Sequence, residues 1–159
     1  ALVPDADVLD LYCGSGALGL EAISRGARSC TFVEQDARLG RLAMDNAERC
    51  RLAGRCRLVQ ADVLSLPSRE PPDPARPAGL VFVDPPYADV DDANRRAALF
   101  AALGALAGSW AADGALLMLH HRPMPYVIWP AGRLARQEAR VYGKSQLTFF
   151  SVAAGDDDG

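Results

Sequence analysis

The chain has 159 residues, of which half are hydrophobic and 23% are charged, and its formal net charge is −3 at pH 7. This length and balance indicate a single globular domain and exclude a disordered or fibrous chain. The acidic balance argues against a general nucleic-acid coat protein, and no apolar run reaches the roughly 18 residues that a membrane span needs. The first residue is Ala1 rather than Met, so we expect that a segment precedes it.

The chain contains four cysteines, and none of them forms a C-x-x-C pair or has a histidine at zinc-ligand spacing. They are Cys13, Cys30, Cys50 and Cys56. We predict four free thiols, no metal site and a cytoplasmic location, with a Cys50–Cys56 disulfide as the alternative.

The first part of the chain alternates strand and helix patterns. Residues 7–12 predict a first strand, and the glycine-rich stretch 13–19 leads from it into a helix that ends at Gly26. Residues 29–34 predict a second strand, after which Asp36 caps a longer helix. The residues expected on one face of that helix are Leu39, Leu42, Ala43, Asn46, Ala47 and Cys50.

The second part continues the alternation and then changes character. Strands are expected at 56–60, 80–83 and 115–121, with a proline-rich loop at 67–78 and a helix at 91–106. The residues expected to face inward from that helix are Ala98, Leu99, Ala102, Leu103 and Leu106.

Two final strand patterns, 136–142 and 146–152, predict a hairpin. The order of elements indicates an α/β fold with a doubly wound, mostly parallel sheet that ends in this antiparallel hairpin. We assign 1–154 to one domain and 155–159 to a disordered acidic tail.

Each of the first four predicted strands has an acidic residue at or near its carboxyl end. They are Asp10, Glu34, Asp62 and Asp84. Because ligands bind outside the carboxyl ends of the strands in sheets of this type, we expect these four side chains to surround one site.

The turn after the first strand reads Gly14-x-Gly16-x-x-Gly19, the spacing of a nucleotide-binding loop, and Glu34 is placed to bind ribose hydroxyls. A turn without a ligand and a nicotinamide dinucleotide site are the alternatives. Asp10 suits an ammonium-bearing ligand better than a pyrophosphate, and Asp62 can accept a hydrogen bond from an adenine amine. These acids favour S-adenosylmethionine, although Asp10 could instead cap the loop and Asp62 could cap a short helix.

The segment Asp84-Pro85-Pro86-Tyr87 predicts an acceptor site for a planar amine. The carboxylate of Asp84 and the carbonyl of Pro85 can accept the amine hydrogens and turn the nitrogen lone pair toward a sulfonium methyl group. Tyr87 can stack on the base. A base inside a helix cannot reach such a pocket, so the target must be unpaired or flipped out.

Three stretches carry a resemblance to a known family: Asp10-Leu-Tyr-Cys-Gly-Ser-Gly-Ala-Leu-Gly-Leu-Glu-Ala, Phe32-Val33-Glu34 and Phe82-Val83-Asp84-Pro-Pro-Tyr87. Together with the closing stretch 140–150, they resemble the bacterial 16S ribosomal RNA guanine-N2 methyltransferases of the RsmD type. The resemblance implies a seven-stranded, Rossmann-like class I S-adenosylmethionine-dependent methyltransferase. It also implies methyl transfer to the N2 amine of a guanine in 16S rRNA or an assembling 30S subunit.

The residues assigned to the site follow from the motifs and from this resemblance. The catalytic residues are Asp84, Pro85, Pro86 and Tyr87. The cofactor-binding residues are Asp10, Gly14, Ser15, Gly16, Glu34, Gln35, Asp62 and Val63. We expect a monomer without a membrane or metal partner.

The sequence departs from the family in two places. The basic segment that precedes this region in family members does not lie within these 159 residues, and His120-His121 replaces an acid or arginine. The two histidines either meet the substrate or only complete the strand, and Arg122 and Arg140 are candidate RNA contacts. The alternative functions are DNA adenine-N6 methylation, protein-glutamine N5 methylation and a non-catalytic cofactor-binding role in ribosome assembly.

Overall fold

The structure is a computed structural model, and it describes residues 2–124, 129 and 132–154. The strands are β1 Asp7–Leu11, β2 Ser29–Glu34, β3 Cys56–Gln60, β4 Ala78–Val83, β5 Ala111–His121, β6 Leu134–Tyr142 and β7 Ser145–Val152. The helices are α1 Ala17–Ser24, α2 Ala37–Arg49, α3 Tyr87–Asp91 and α4 Ala93–Ala105, with 3₁₀ turns at Ala53–Arg55 and Val63–Ser68.

All seven strands form one sheet in the order β3-β2-β1-β4-β5-β7-β6. Strands β1 to β5 are parallel, whereas β7 runs antiparallel to β5 and β6 runs antiparallel to β7. The strand order therefore reverses between β1 and β4, which is where a doubly wound sheet opens a ligand crevice. The predicted fold class is confirmed.

The sheet separates two hydrophobic layers because successive side chains of each strand face opposite sides. On one side, Val8 and Phe32 pack with residues of α1 and α2. On the other side, Leu9 and Val33 pack with residues of α4 and the final strand. With all five residues of β1 buried, this strand forms the centre of both layers.

The predicted inward face of α2 is partly wrong. Leu39 and Leu42 are 40% and 39% exposed, and Cys50 is also exposed. The buried residues of the helix are small ones, Gly40, Ala43 and Ala47. A Cβ atom at Gly40 would lie 3.0 Å from the Leu58 side chain, so the helix approaches β3 too closely for larger residues to face inward.

The helix predicted at 91–106 is α4, and the short helix α3 precedes it. Asp92 separates them, and its side chain caps α4 by accepting the N–H of Arg95 at 2.9 Å. Ala98 is exposed, which contradicts the prediction, and Phe100 is buried instead. The Phe100 ring packs 5.2 Å from Trp129 and 5.4 Å from Phe150, measured between ring centroids, so aromatic packing sets the rotation of the helix.

The proline-rich loop is anchored to the amino-terminal edge of the sheet. Arg76 and Arg28 both donate hydrogen bonds to Asp7, and Trp110 Nε1 donates to the carbonyl of Arg69 at 3.1 Å. Burial alone would raise the pKa of Asp7, but the hydrogen bonds from Arg28, Ser29 and Arg76 outweigh it and lower the pKa to about 2.

All four cysteines are free, as predicted. Among the described residues, none of the helices is both long and apolar enough to cross a membrane. The predicted tail at 155–159 lies outside the described residues.

Candidate active site

The turn after β1 is built from left-handed backbone conformations. Gly14 and Gly16 have φ angles of +55° and +82°, which glycine adopts at little cost. A Cβ atom at Gly16 would also lie 3.1 Å from the Ala43 Cβ and 3.2 Å from the Phe32 ring. Gly16 is therefore required both for its conformation and for the close packing of the turn on α2 and β2.

Asp10 lies beneath this turn and is almost completely buried. Its Oδ2 atom accepts a hydrogen bond from the backbone N–H of Gly19 at 3.0 Å, so the side chain does cap the loop. Its Oδ1 atom is buried and has no hydrogen-bond partner within the described part of the chain. Burial, against the lowering effect of the Gly19 hydrogen bond and with a smaller contribution from the charges of Asp84 and Glu34, raises the pKa of Asp10 to about 7.

Glu34 joins the end of β2 to the glycine turn. Its Oε1 atom accepts the N–H of Gly14 at 3.2 Å, and its Oε2 atom accepts the N–H of Asp36 at 3.3 Å. Asp36 in turn caps α2 by accepting the N–H groups of Arg38 and Leu39. This chain of contacts fixes the carboxylate of Glu34 at the carboxyl edge of the sheet.

An open groove with a volume of about 490 Å³ connects Glu34 to the Asp84 segment. Its lining includes Glu34, Gln35, Asp84, Pro85, Pro86 and Tyr87, six of the twelve residues assigned from sequence. A second depression of about 230 Å³ contains Asp62 and shares Tyr12 and Gln35 with the groove. The acids that follow β2, β3 and β4 therefore lie around one continuous region of the surface.

The remaining assigned residues lie beside or below this region. Asp62 caps the 3₁₀ turn by accepting the N–H of Leu64 at 3.0 Å, while it also lines the second depression. The Val63 side chain is buried in the core. Ser15 is exposed on the turn, where its carbonyl accepts the side-chain N–H of Asn46 at 3.0 Å.

The Asp84–Tyr87 segment connects β4 directly to α3. The backbone N–H of Asp84 donates to the Leu11 carbonyl at 3.4 Å, which holds the segment against the end of β1. Pro85 is buried, and the Pro86 carbonyl accepts the N–H of Asp89 at 3.0 Å. Tyr87 begins α3 with 45% of its surface exposed, so its ring is available for stacking.

The structure adds two residues to the site that the sequence prediction did not place there, and it brings two candidate contact residues, His120 and Arg122, to the Asp84–Tyr87 segment. Tyr12 and Leu39 line the groove. The guanidinium carbon of Arg122 lies 4.1 Å from the centre of the Tyr87 ring, within the range of a cation–π contact. The Nδ1 atom of His120 lies 2.8 Å from the Oδ1 atom of Asp84, so this histidine does more than complete β5.

Tyr12 carries a signal in the sequence, because it is an aromatic residue directly before the glycine-rich turn. Tyr12 is a large residue in a turn, and its φ of +57° is unusual for a residue with a side chain. Burial, with the charges of Asp89 and Asp62, raises its pKa far above the usual range. Leu39 carries no such signal, because the helical period predicts it on the buried face of α2, whereas it is 40% exposed. The positions of His120 and Arg122 depend on strand register instead.

The match to known families agrees with this geometry. A model of the family described as "conserved hypothetical protein 95", the RsmD family, matches residues 1–151. The chain belongs to this family, which confirms the resemblance inferred from the sequence motifs.

The curated relatives include proteins that carry the name ribosomal RNA small subunit methyltransferase D. The protein of Escherichia coli K12 is 35% identical over 117 residues, which are 73% of this chain and 53% of the relative. The protein of Haemophilus influenzae is 33% identical over 88 residues, which are 54% of this chain and 44% of the relative. This chain therefore spans about half the length of the curated relatives that it matches.

Solved structures show the same fold. The Escherichia coli protein yhhF superimposes with a TM-score of 0.77 at 27% identity, covering 97% of this chain and 79% of that chain. An RNA methyltransferase of Salinibacter ruber, solved with S-adenosyl-L-homocysteine, superimposes with a TM-score of 0.65 at 16% identity, covering 99% and 88%. At 16% identity, the Salinibacter ruber structure shows only that the two chains share a fold.

Among the residues that the structure describes, no group of three or more His, Cys, Asp or Glu side chains is arranged to hold a metal ion.

Proposed function

We propose that this chain carries the catalytic domain of an S-adenosylmethionine-dependent methyltransferase that modifies the N2 amine of a guanine in small-subunit ribosomal RNA. The observation that carries the proposal is the single groove that joins Glu34 to the Asp84–Tyr87 segment. One end of this groove has the residues of a nucleoside site, and the other has the acceptor for an amine. The names of the curated relatives support ribosomal RNA as the substrate.

The residues at the first end fit the cofactor. The unpaired, buried Oδ1 atom of Asp10 offers a hydrogen-bond acceptor under the glycine turn, which suits a ligand with an ammonium group. Glu34 would accept hydrogen bonds from the ribose hydroxyls, and Asp62 would accept one from the adenine amine. Gln35 and Val63 would contact the same nucleoside, and Gly14, Ser15 and Gly16 would leave room for its amino-acid part. When bound, S-adenosylmethionine supplies an electrophilic methyl group.

The residues at the second end would orient the amine and stabilise its charge. The exocyclic nitrogen of guanine is a weak nucleophile because its lone pair is delocalised into the ring. Hydrogen bonds to the Asp84 carboxylate and the Pro85 carbonyl would hold both amine hydrogens and turn the lone pair toward the methyl group. As the nitrogen gains positive charge, the exposed carboxylate of Asp84 stabilises it and can accept the proton that leaves.

Tyr87 would hold the base by stacking. One face of its ring is covered by Arg122, so a guanine would stack on the other face. A guanine inside a duplex cannot enter the groove, and the target nucleotide must therefore be unpaired or flipped out.

The test is methyl transfer to defined RNA. The protein is incubated with radiolabelled S-adenosylmethionine and small-subunit particles that lack the modification, and the digested nucleosides are separated by liquid chromatography and mass spectrometry. We expect the label in N2-methylguanosine from 16S rRNA. Label only in adenine or in protein, or no label at all, would contradict the proposal. Calorimetry with S-adenosylhomocysteine separates a failure to bind cofactor from a failure to recognise RNA.

A further inference from the structure

His120 and Asp84 are brought together by the pairing of β4 and β5. Val83 pairs with Leu119 in this parallel ladder, so the next residue of each strand, Asp84 and His120, comes to the same place at the carboxyl edge. The Nδ1 atom of His120 lies 2.8 Å from the Oδ1 atom of Asp84, and both side chains are partly exposed, at 31% and 47%.

The chemistry of the two groups determines which of them donates. An ionised carboxylate has no hydrogen to donate, so the proton of this hydrogen bond belongs to Nδ1 of His120. The bond therefore occupies Oδ1 of Asp84 and leaves Oδ2 for another donor. A carboxylate that is nearly half exposed would otherwise rotate freely and exchange its partners with water.

The neighbouring histidine keeps the end of β5 in place. His121 faces the opposite side of the sheet and is completely buried. Its Nδ1–H donates to the Arg122 carbonyl at 2.7 Å, and its Nε2 atom accepts the hydroxyl proton of Thr148 on β7, also at 2.7 Å. Burial lowers the pKa of His121, which keeps it neutral in this role. His120 is thus presented to Asp84 from a strand end that is fixed on its other side.

We propose that His120 is a positioning residue for methyl transfer: its Nδ1–H holds Oδ1 of Asp84 so that Oδ2 faces the exocyclic amine of the substrate. This inference rests on the proposed function. The hydrogen bond orients the carboxylate before the substrate arrives, and a neutral imidazole does so without cancelling the negative charge that stabilises the amine. A protonated imidazole would keep the geometry but would offset that charge.

Several charged or titratable groups surround His120, so its contribution is measured by comparing variants under the same conditions. Asp84 faces it from β4, His121 and Arg122 follow it on β5, and Leu147 of β7 separates it from Arg140 of β6. Asp10 of β1 interacts electrostatically with Asp84, and Asp91 of α3 with His121.

The test compares two substitutions of His120. His120→Asn keeps an N–H donor near the position of Nδ1 but does not titrate, whereas His120→Leu removes the donor. We expect His120→Leu to lower kcat by about 10-fold to 100-fold, the usual effect of losing a hydrogen bond to a charged group. KM for RNA and the affinity for S-adenosylhomocysteine should stay near the wild-type values. His120→Asn should recover most of kcat, because its side-chain N–H can replace the Nδ1–H donor. Equal kcat values for His120→Leu and the wild type, or no rescue by asparagine, would overturn the proposal.

A second measurement does not depend on activity. Nitrogen-15 NMR of the labelled histidines reports which ring nitrogen carries the proton. We expect the Nδ1–H form at His120 and a shift of its signals in Asp84→Ala. The Nε2–H form, or signals that ignore Asp84→Ala, would overturn the proposed role. If the wild type transfers no methyl group but NMR finds the expected form, the proposed function fails and the contact stands.

Discussion

The Oδ2 atom of Asp10 accepts the backbone N–H of Gly19 at 3.0 Å and thereby connects the middle of β1 to the first turns of α1. The glycine turn lies between these two points, so a single buried carboxylate holds both of its ends. The same carboxylate carries a raised pKa of about 7 because of its burial. The turn is therefore held by a carboxyl group whose ionisation lowers the stability of the folded protein when no ligand is bound.

Asp10→Asn should change how stability depends on pH. The folded protein keeps a proton on Asp10 up to about pH 7, whereas the unfolded chain releases it near the ordinary value of 3.8. The unfolded state therefore binds fewer protons between these values, and this group lowers the free energy of unfolding as pH rises. The full cost, on the order of 4 kcal/mol, is reached above pH 7.

The measurement is urea unfolding at pH 5 and pH 8. Asp10→Asn should lose less stability than the wild type between the two pH values. Asp45→Asn, which changes an exposed aspartate of α2, serves as the control and should follow the wild type. Parallel curves for all three proteins would show that Asp10 does not titrate in this range.

Gly19→Ala should destabilise the protein because the interior has no room for a methyl group. The added Cβ would lie 2.5 Å from the Cys30 sulfur and 2.6 Å from the Phe32 ring, both of which are buried. Overpacking of this kind costs about 1–3 kcal/mol.

Gly104→Ala in α4 is the matched control. Its Cβ would meet no atom within 4 Å, so the helix should gain up to about 1 kcal/mol. Thermal unfolding should move the two variants in opposite directions. A loss of stability in both would mean that the contacts around Gly19 do not decide the outcome.

Glu34→Gln should weaken cofactor binding more than folding. The amide keeps one acceptor, for the N–H of Gly14, but loses the acceptor for the N–H of Asp36 and the negative charge that would bind two ribose hydroxyls. We expect the Kd for S-adenosylhomocysteine to rise about 10-fold, equivalent to about 1.4 kcal/mol. Calorimetry should show no such change for Glu48→Gln, an exposed position on α2. Unchanged affinity in Glu34→Gln would place the ribose elsewhere.

Asp84→Asn should separate catalysis from cofactor binding. The amide still accepts the hydrogen bond of His120 but cannot neutralise charge on the amine, so kcat should fall by roughly 100-fold or more. The affinity for S-adenosylhomocysteine should change little, because Asp84 is assigned to the amine. Loss of cofactor binding in a folded Asp84→Asn protein would contradict that assignment.

Much of the fold could be predicted because its signals are local. Strand and helix patterns alternate along the chain, and each acid that ends a parallel strand must reach the same edge of the sheet. Asp10, Glu34, Asp62 and Asp84 could thus be grouped without coordinates. The glycine turn is equally local, since the backbone angles of Gly14 and Gly16 are found at little cost only in glycine.

The missed features depend on contacts between distant segments. The buried face of α2 is decided by the close approach of Gly40 to Leu58. The helical period alone predicts that the larger residues Leu39 and Leu42 face inward. The contact of His120 with Asp84 depends on the register between β4 and β5. That register is irregular. Ala78 pairs with Ala111 but Leu80 pairs with Leu116, so a step of two residues on β4 corresponds to five residues on β5.

This irregularity divides β5 into two parts with different tolerance for changes of length. Residues 112–115 lie outside the regular pairing, and Gly114 has a φ of +76°, so an insertion or deletion there can be absorbed. From Leu116 to His121 the pairing is regular and side chains alternate between the two faces. Removal of one residue at 117–119 would move His121 toward the groove and bury His120, and the protein could keep its sheet while losing its active site. Among relatives, length variation in this strand should therefore occur before Leu116.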